Sequence, residues 1–208
     1  LLPAIALMLA DIIFICMTLY NQDSQNMIDM AAEQALVAAN TSVKDVYGNS
    51  IRTLKPGDEE STAYMLAAEA LREDMDLTGV KYLYTLYTDG NKVYYGVDAD
   101  DTEDRCLIGE EFDYTYEELK TVFDGEPYVQ DFIDVTEDGA LITAYVPILD
   151  NEGKVVSILG SDYDASGIIE KMDTMRGASI KIGVGAIVVA VIILFLIVRL
   201  ITKNVKVV

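Results

Sequence analysis

The spacing of apolar and polar positions divides the chain into two apolar ends and a mixed middle. Leu1 to Tyr20 contains one acidic residue, Asp11, and no Lys or Arg. That stretch is long enough to cross roughly 30 Å of hydrocarbon as a helix. Ile182 to Val198 carries no charge, with Lys181 before it and Arg199, Lys203 and Lys206 after it. Both read as transmembrane helices, assigned to residues 1–20 and 179–202, with 203–208 opening a cytoplasmic linker. A cleaved signal peptide would need a basic start, a shorter apolar stretch and a small-residue cleavage site, so the first helix is expected to stay as an anchor.

The middle opens on a helical pattern. Ile28, Ala32, Ala35, Ala39, Val43 and Val46 recur at intervals of three and four, and the helix is expected to run on directly from the first span. Its small-residue stripe fits two arrangements equally: packing on its own domain, or the seam of a homodimer. After the break at Lys55, Pro56 and Gly57, Asp58 can cap a second helix with Glu59 and Glu60 in its first turn. Ala63, Leu66, Ala67, Ala70 and Leu71 then share a face, and Gly79 marks the stop.

From Val80 the period changes to that of strands. Tyr82–Thr88 and Val93–Val97 flank Asp89-Gly90, an Asp-Gly hairpin signal. Asp138-Gly139 separates Tyr128–Val135 from Leu141–Ile148, and Asn151-Glu152-Gly153 separates that strand from Val155–Tyr163. An acidic loop, Asp98 to Asp104, and a short helix near Tyr116–Phe123 lie between the two groups. Five strands joined by tight turns, with the helices grouped ahead of them, predict an α+β domain with an antiparallel sheet covered by helices.

Charge then orients the chain. The formal charge is -20 at a mean hydropathy of +0.24, and the middle section holds 11 of the basic and 34 of the acidic residues, a net -23. Basic residues flank the cytoplasmic end of a span, so the tail is expected inside and residues 21–178 outside. The acidic balance excludes nucleic acid as a partner, because phosphate must be met by positive charge. Histidine is absent, which removes the commonest general base and transition-metal ligand. The cysteines, Cys16 in the first span and Cys106 in a polar loop, suggest no bridge or metal spacing. An EF-hand register from Asp98 fails, because Glu103 and Gly109 occupy the positions of the required Gly and Glu, so that loop reads as solvated. Neither a cofactor nor a metal is expected.

The segments YLYTLYTDG, VYYGVDAD and FDGEP, followed by DGALITAYVPILDNEGKVVSILGSDYD, resemble the Cache family of extracytoplasmic sensor domains over roughly residues 25–175. The resemblance implies a PAS-like five-stranded antiparallel sheet with a long N-terminal helix, in its single-module form. It also implies a small-molecule ligand on the side of the shorter helices and loops, and a coupling helix with a signalling module beyond residue 208. In amino-acid-binding members, aspartates on the last and an earlier strand hold the ligand's ammonium group. Asp162 matches the first of these and Asp134 is nearest to the second. The Arg and Trp that hold the ligand carboxylate in those members have no counterpart on the strands, and Arg105 is the nearby basic candidate.

Asp162 shares strand parity with Val156, Ile158 and Gly160, which puts it on an inward face. Tyr82, Tyr84, Tyr95 and Tyr145 suit a sheet core or a pocket wall, having an apolar body and a polar tip. The candidate ligand contacts are thus Asp162, Asp134, Tyr145, Tyr84 and Arg105. The expected function is the sensing region of a bacterial cell-membrane receptor, a chemoreceptor, sensor kinase or cyclic-dinucleotide enzyme, without catalysis in these residues. The alternative is a surface-anchored binding or adhesion module with no signalling output.

Overall fold

The computed structural model describes residues 2–205; Lys206, which contributes to the charge argument, lies outside the described residues with the rest of 206–208. Ile28–Ser166 form one compact unit and the two flanking helical segments form another. Helix α1 (Leu2–Ser42) runs without a break from the apolar N-terminal end to Ser42. Helix α5 (Ser166–Val205) is equally continuous. Each contains a stretch long and apolar enough to cross a membrane, with mean hydropathies of 1.6 and 3.1.

Within Ile28–Ser166 the elements follow in the order α2 (Gly48–Ile51), α3 (Thr62–Thr78), β1 (Tyr82–Thr88), β2 (Val93–Asp98), α4 (Tyr116–Phe123), β3 (Tyr128–Val129), β4 (Asp134–Thr136), β5 (Gly139–Leu149) and β6 (Val155–Asp164). The sheet is antiparallel in the order β2-β1-β6-β5-β3, with β4 also paired to β5. The last strand therefore lies at the centre, between β1 and β5.

Strand alternation gives the sheet two cores. On one face Leu83, Ala144, Val146, Ile148 and Leu159 pack against Ala35, Ala38 and Ala39 of α1 and against Tyr64, Ala67, Ala68 and Leu71 of α3. On the other, Tyr84, Leu86, Tyr145 and Ile158 meet Leu119 and Val122 of α4. The alanine stripe of α1 is thus used at least in part within its own domain. Alanine there permits close approach of the helix to the sheet, and Ala35 and Ala39 are fully buried.

Three details differ from the sequence reading. Helix α3 begins at Thr62 behind the cap Ser61, whose hydroxyl accepts the Tyr64 N–H. Asp58 instead accepts the Lys55 N–H within the preceding turn, and Glu59 accepts the Ile108 N–H. The buried face of α3 is set by Tyr64, whose hydroxyl reaches the backbone of Asp98. The helix is therefore rotated, leaving Leu66 63% exposed. The expected strand Tyr128–Val135 is broken in two by Gln130. Its side-chain oxygen accepts the Thr143 N–H at 2.9 Å while its own N–H donates to the Thr143 carbonyl at 2.9 Å, so a side chain supplies the pairing that a continuous strand would have made.

At the sheet centre Gly160 faces Tyr84 on one side and Tyr145 on the other. A Cβ there would lie 2.5 Å from the Tyr84 ring. Gly160→Ala is therefore expected to cost about 1–3 kcal/mol through overpacking, measured as a lowered urea midpoint with an unchanged slope.

Candidate functional site

The α4-side face of the sheet does not close completely. A cavity of ≈ 380 Å³ opens beside β1, β6 and the loop after β2, and a recess of ≈ 70 Å³ lies beside β5 and β4. Tyr84, Tyr95, Asp138 and Asp162 line both.

Asp162 is carried there by β6 parity, on the same face as Ile158 and Gly160. It is 5% exposed. The Tyr84 hydroxyl donates to Asp162 Oδ1 at 3.2 Å, and Thr143, its cross-strand partner on β5, adds a side-chain hydrogen bond. Burial pushes its carboxyl up to about 7, against the opposing pull of those two hydroxyls. Burial without a countercharge makes the acid hold its proton to higher pH than an exposed carboxyl would. Burial also drives the Tyr84 and Tyr145 hydroxyls well above the usual tyrosine range, with the Asp162 charge adding to it, so both stay neutral donors.

Asp134, at the start of β4, lines the smaller recess and accepts a hydrogen bond from Tyr114 at 3.0 Å. Gln130 Nε2 donates in turn to the Tyr114 oxygen at 3.1 Å, tying the broken strand to the site. Asp162, Asp134, Tyr84 and Tyr145 are thus brought together. Arg105 is not: it lines neither hollow and lies 5.9 Å over the Tyr64 ring, with its buried Nε meeting no hydrogen-bond partner among the described residues.

Several wall residues escaped the sequence reading. Asp98, Asp100 and Asp104 of the loop read as solvated all line the larger cavity. Asp98 organises that loop by accepting the N–H groups of Asp100 and Cys106 at 3.0 and 2.9 Å. Burial raises its carboxyl while those two donors pull it back. Lys81 and Asp138 sit at the rim, where Lys81 Nζ donates to the Asp138 carbonyl at 2.5 Å. The sequence signal available was the Asp-Gly turn itself, which places Asp138 at the end of the sheet where Asp162 emerges.

A further cavity of ≈ 230 Å³ lies on the opposite face, beside Ile51, Thr85 and Ser157. Its buried hydroxyls are already used: Thr85 accepts the Val97 N–H at 2.7 Å and Ser157 donates to the Leu86 carbonyl at 2.7 Å. Arg52 at its edge is paired with Asp150 at 3.2 Å. Little polar capacity remains there for a ligand, which favours the Asp162 face.

No protein-family model and no curated protein matches the chain. Among solved structures, the sensor domain of E. coli DcuS aligns at 18% identity with a TM-score of 0.50, covering 70% of this chain and 97% of that domain. The ligand-binding domain of the Campylobacter jejuni chemoreceptor Tlp3 in complex with 4-methylisoleucine aligns at 13% identity and TM-score 0.41, over 74% of this chain and 62% of its own. A methyl-accepting chemotaxis protein X aligns at 14% and 0.49, over 76% and 64%. The chain shares the fold of the DcuS sensor domain, the PAS-like antiparallel sheet with a long N-terminal helix that the Cache resemblance implied.

Because the Asp162 carboxyl binds its proton more tightly folded than unfolded, its contribution to stability falls as pH rises from about 4 to about 7 and is flat above that. Asp162→Asn is expected to remove this component. The difference between wild-type and variant unfolding free energies, followed by urea denaturation across that range, should therefore slope downward with pH.

Proposed function

We propose that the chain is the ligand-sensing region of a bacterial transmembrane signal-transduction receptor. On this reading residues 21–178 lie outside the cell membrane, and helices over 1–20 and 179–202 span it. A small extracellular metabolite, an amino acid or an amine, would bind in the hollow on the α4 side of the sheet. Asp162 and Asp134 are its carboxylate contacts and Tyr84 and Tyr145 its hydroxyl-bearing walls. No catalytic role is assigned to any of these residues.

One observation carries the reading. Asp162 is in the cavity wall, β6 ends at Asp164, and α5 begins at Ser166 with Ala165 alone between them. The Asp164 side chain accepts the Ser166 N–H at 2.9 Å, capping the helix, and the Ala165 N–H is held by the Ala140 carbonyl at 2.8 Å. With so little slack, a shift of β6 on ligand closure passes into the start of an apolar helix. A homodimer is the form in which such a displacement could be read out, and Met30 and Val37 on α1, 71% and 57% exposed, are available to a second copy.

The reading is tested by screening the chain in lipid nanodiscs against amino acids, amines and carboxylates. A true ligand at a hundred times its dissociation constant stabilises the folded form by ~2.7 kcal/mol, seen as a raised melting temperature, and Asp162→Ala should abolish that rise. Engineered cysteines in the two spans should then change their cross-linking pattern when the hit is added. An unchanged pattern would favour an anchored binding module without output.

A further inference from the structure

The ligand class can be narrowed, on the premise that the Asp162 hollow is the sensory site. Its wall is unbalanced in charge. Asp98, Asp100, Asp104, Asp138 and Asp162 line the larger cavity, against one cation, Lys81. Lys81 is itself engaged, donating to the Asp138 carbonyl and lying 5.0 Å over the Tyr82 ring. Two of the carboxylates are committed to the loop: Asp98 accepts two N–H groups, and Asp100 accepts the Thr102 N–H at 2.8 Å. Asp162, on the sheet itself, has hydroxyl partners alone.

The titratable and charged groups facing Asp162 come from β1, from β2 and the loop after it, and from β5 and the turn before it. Strand β1 presents Tyr82, its pairing partner, and Tyr84, with Lys81 at the strand's edge. Strand β2 and the following loop present Tyr95, Asp98 and Cys106, while β5 presents Tyr145 and the turn before it Asp138. Burial holds Tyr84, Tyr95 and Tyr145 neutral and pushes the Cys106 thiol up to about 11, leaving Lys81 as the one cation against the acids Asp98 and Asp138. A buried carboxyl in these surroundings holds its proton up to about pH 7 and, below that, ionises when a cation arrives to pair with it. The wall is poor in partners for a ligand's carboxylate: its one cation, Lys81, is engaged with the Asp138 carbonyl and the Tyr82 ring, and Arg105 lies over the Tyr64 ring.

We propose that the cavity takes up an organic amine lacking a carboxylate, in exchange for the proton of Asp162. The carboxylic O–H bond breaks and its proton leaves to solvent. The carboxylate keeps the electron pair and accepts a charge-assisted hydrogen bond from the incoming ammonium. For a monoammonium ligand the net charge of the site is unchanged by the exchange. The rings of Tyr82, Tyr84 and Tyr95 in the wall supply further attraction for a cation. Occupancy therefore depends on amine concentration and on external pH together.

The test is calorimetric titration of the 208-residue chain in nanodiscs with putrescine, and with glycine, succinate and calcium chloride as comparators. Ionic strength is held at about 0.15 M to screen non-specific attraction. Putrescine should bind at pH 8. Below the Asp162 titration near 7, its affinity should weaken by as much as about tenfold per pH unit. At pH 6, two buffers of different ionisation enthalpy should report close to one proton released per putrescine. Asp162→Asn, which imitates the protonated acid, should lose both the pH dependence and the proton release and bind weakly throughout. Equal putrescine affinity at pH 6 and 8, unimpaired binding by Asp162→Asn, or stronger binding of succinate or calcium would overturn the exchange. Tighter binding of glycine or succinate than of putrescine would do so while leaving the sensory reading intact. If putrescine fails to bind at millimolar concentration the exchange also falls, and the metabolite screen separately decides the sensory role.

Discussion

Burial of the Asp162 carboxyl at the centre of the sheet is the constraint around which the rest of this molecule is arranged. An acid at that depth needs partners, and the partners here are hydroxyls on the two flanking strands, Tyr84 of β1 and Thr143 of β5. They reach it because β6 pairs with both neighbours and because Gly160, two residues earlier on the same face, leaves room for the Tyr84 ring. Bulk at position 160 and the hydroxyl bond at position 162 compete for the same space. The glycine settles that competition in favour of the polar contact.

The same strand links site and helix. Its alternate residues serve different ends: Leu159 closes the core under α1 and α3, while Ile158 and Asp162 face α4 and the cavity. A change at Asp162 is thus felt on a strand bonded along both edges, which favours movement of the strand as a unit over local adjustment of one side chain. The chain enters α5 two residues after β6 leaves the ladder. In physical terms the proposed sensor is a buried ionisable group placed on a stiff element that has a short, hydrogen-bonded exit.

The acidic loop illustrates how a surface feature becomes a wall. Asp98 to Asp104 has the composition of a solvated connection, and Asp104 is indeed exposed. Yet Asp98 folds the loop back by bonding the N–H groups of Asp100 and Cys106, and that fold turns several carboxylates toward one hollow. The result is a cavity wall rich in negative charge.

The sequence alone determined the long helical ends, the Asp-Gly turns, the positions of β1, β2, β5 and β6 and the parity that sends Asp162 inward, because these follow from hydrocarbon thickness, turn geometry and the two-residue period of a strand. It also pointed to Asp134, Tyr84 and Tyr145 as residues for one site, and the fold brings them together with Asp162 around the two adjoining hollows. Tertiary structure alone decided the rotation of α3, the break at Gln130, the orientation of Arg105 against Tyr64 and the gathering of Asp98 and Asp138 at the cavity. Each of these depends on a partner distant in the chain: a backbone group for Tyr64, an opposite strand for Gln130, an aromatic face for Arg105. Local periodicity carries no information about such partners, since they exist only once the sheet has closed.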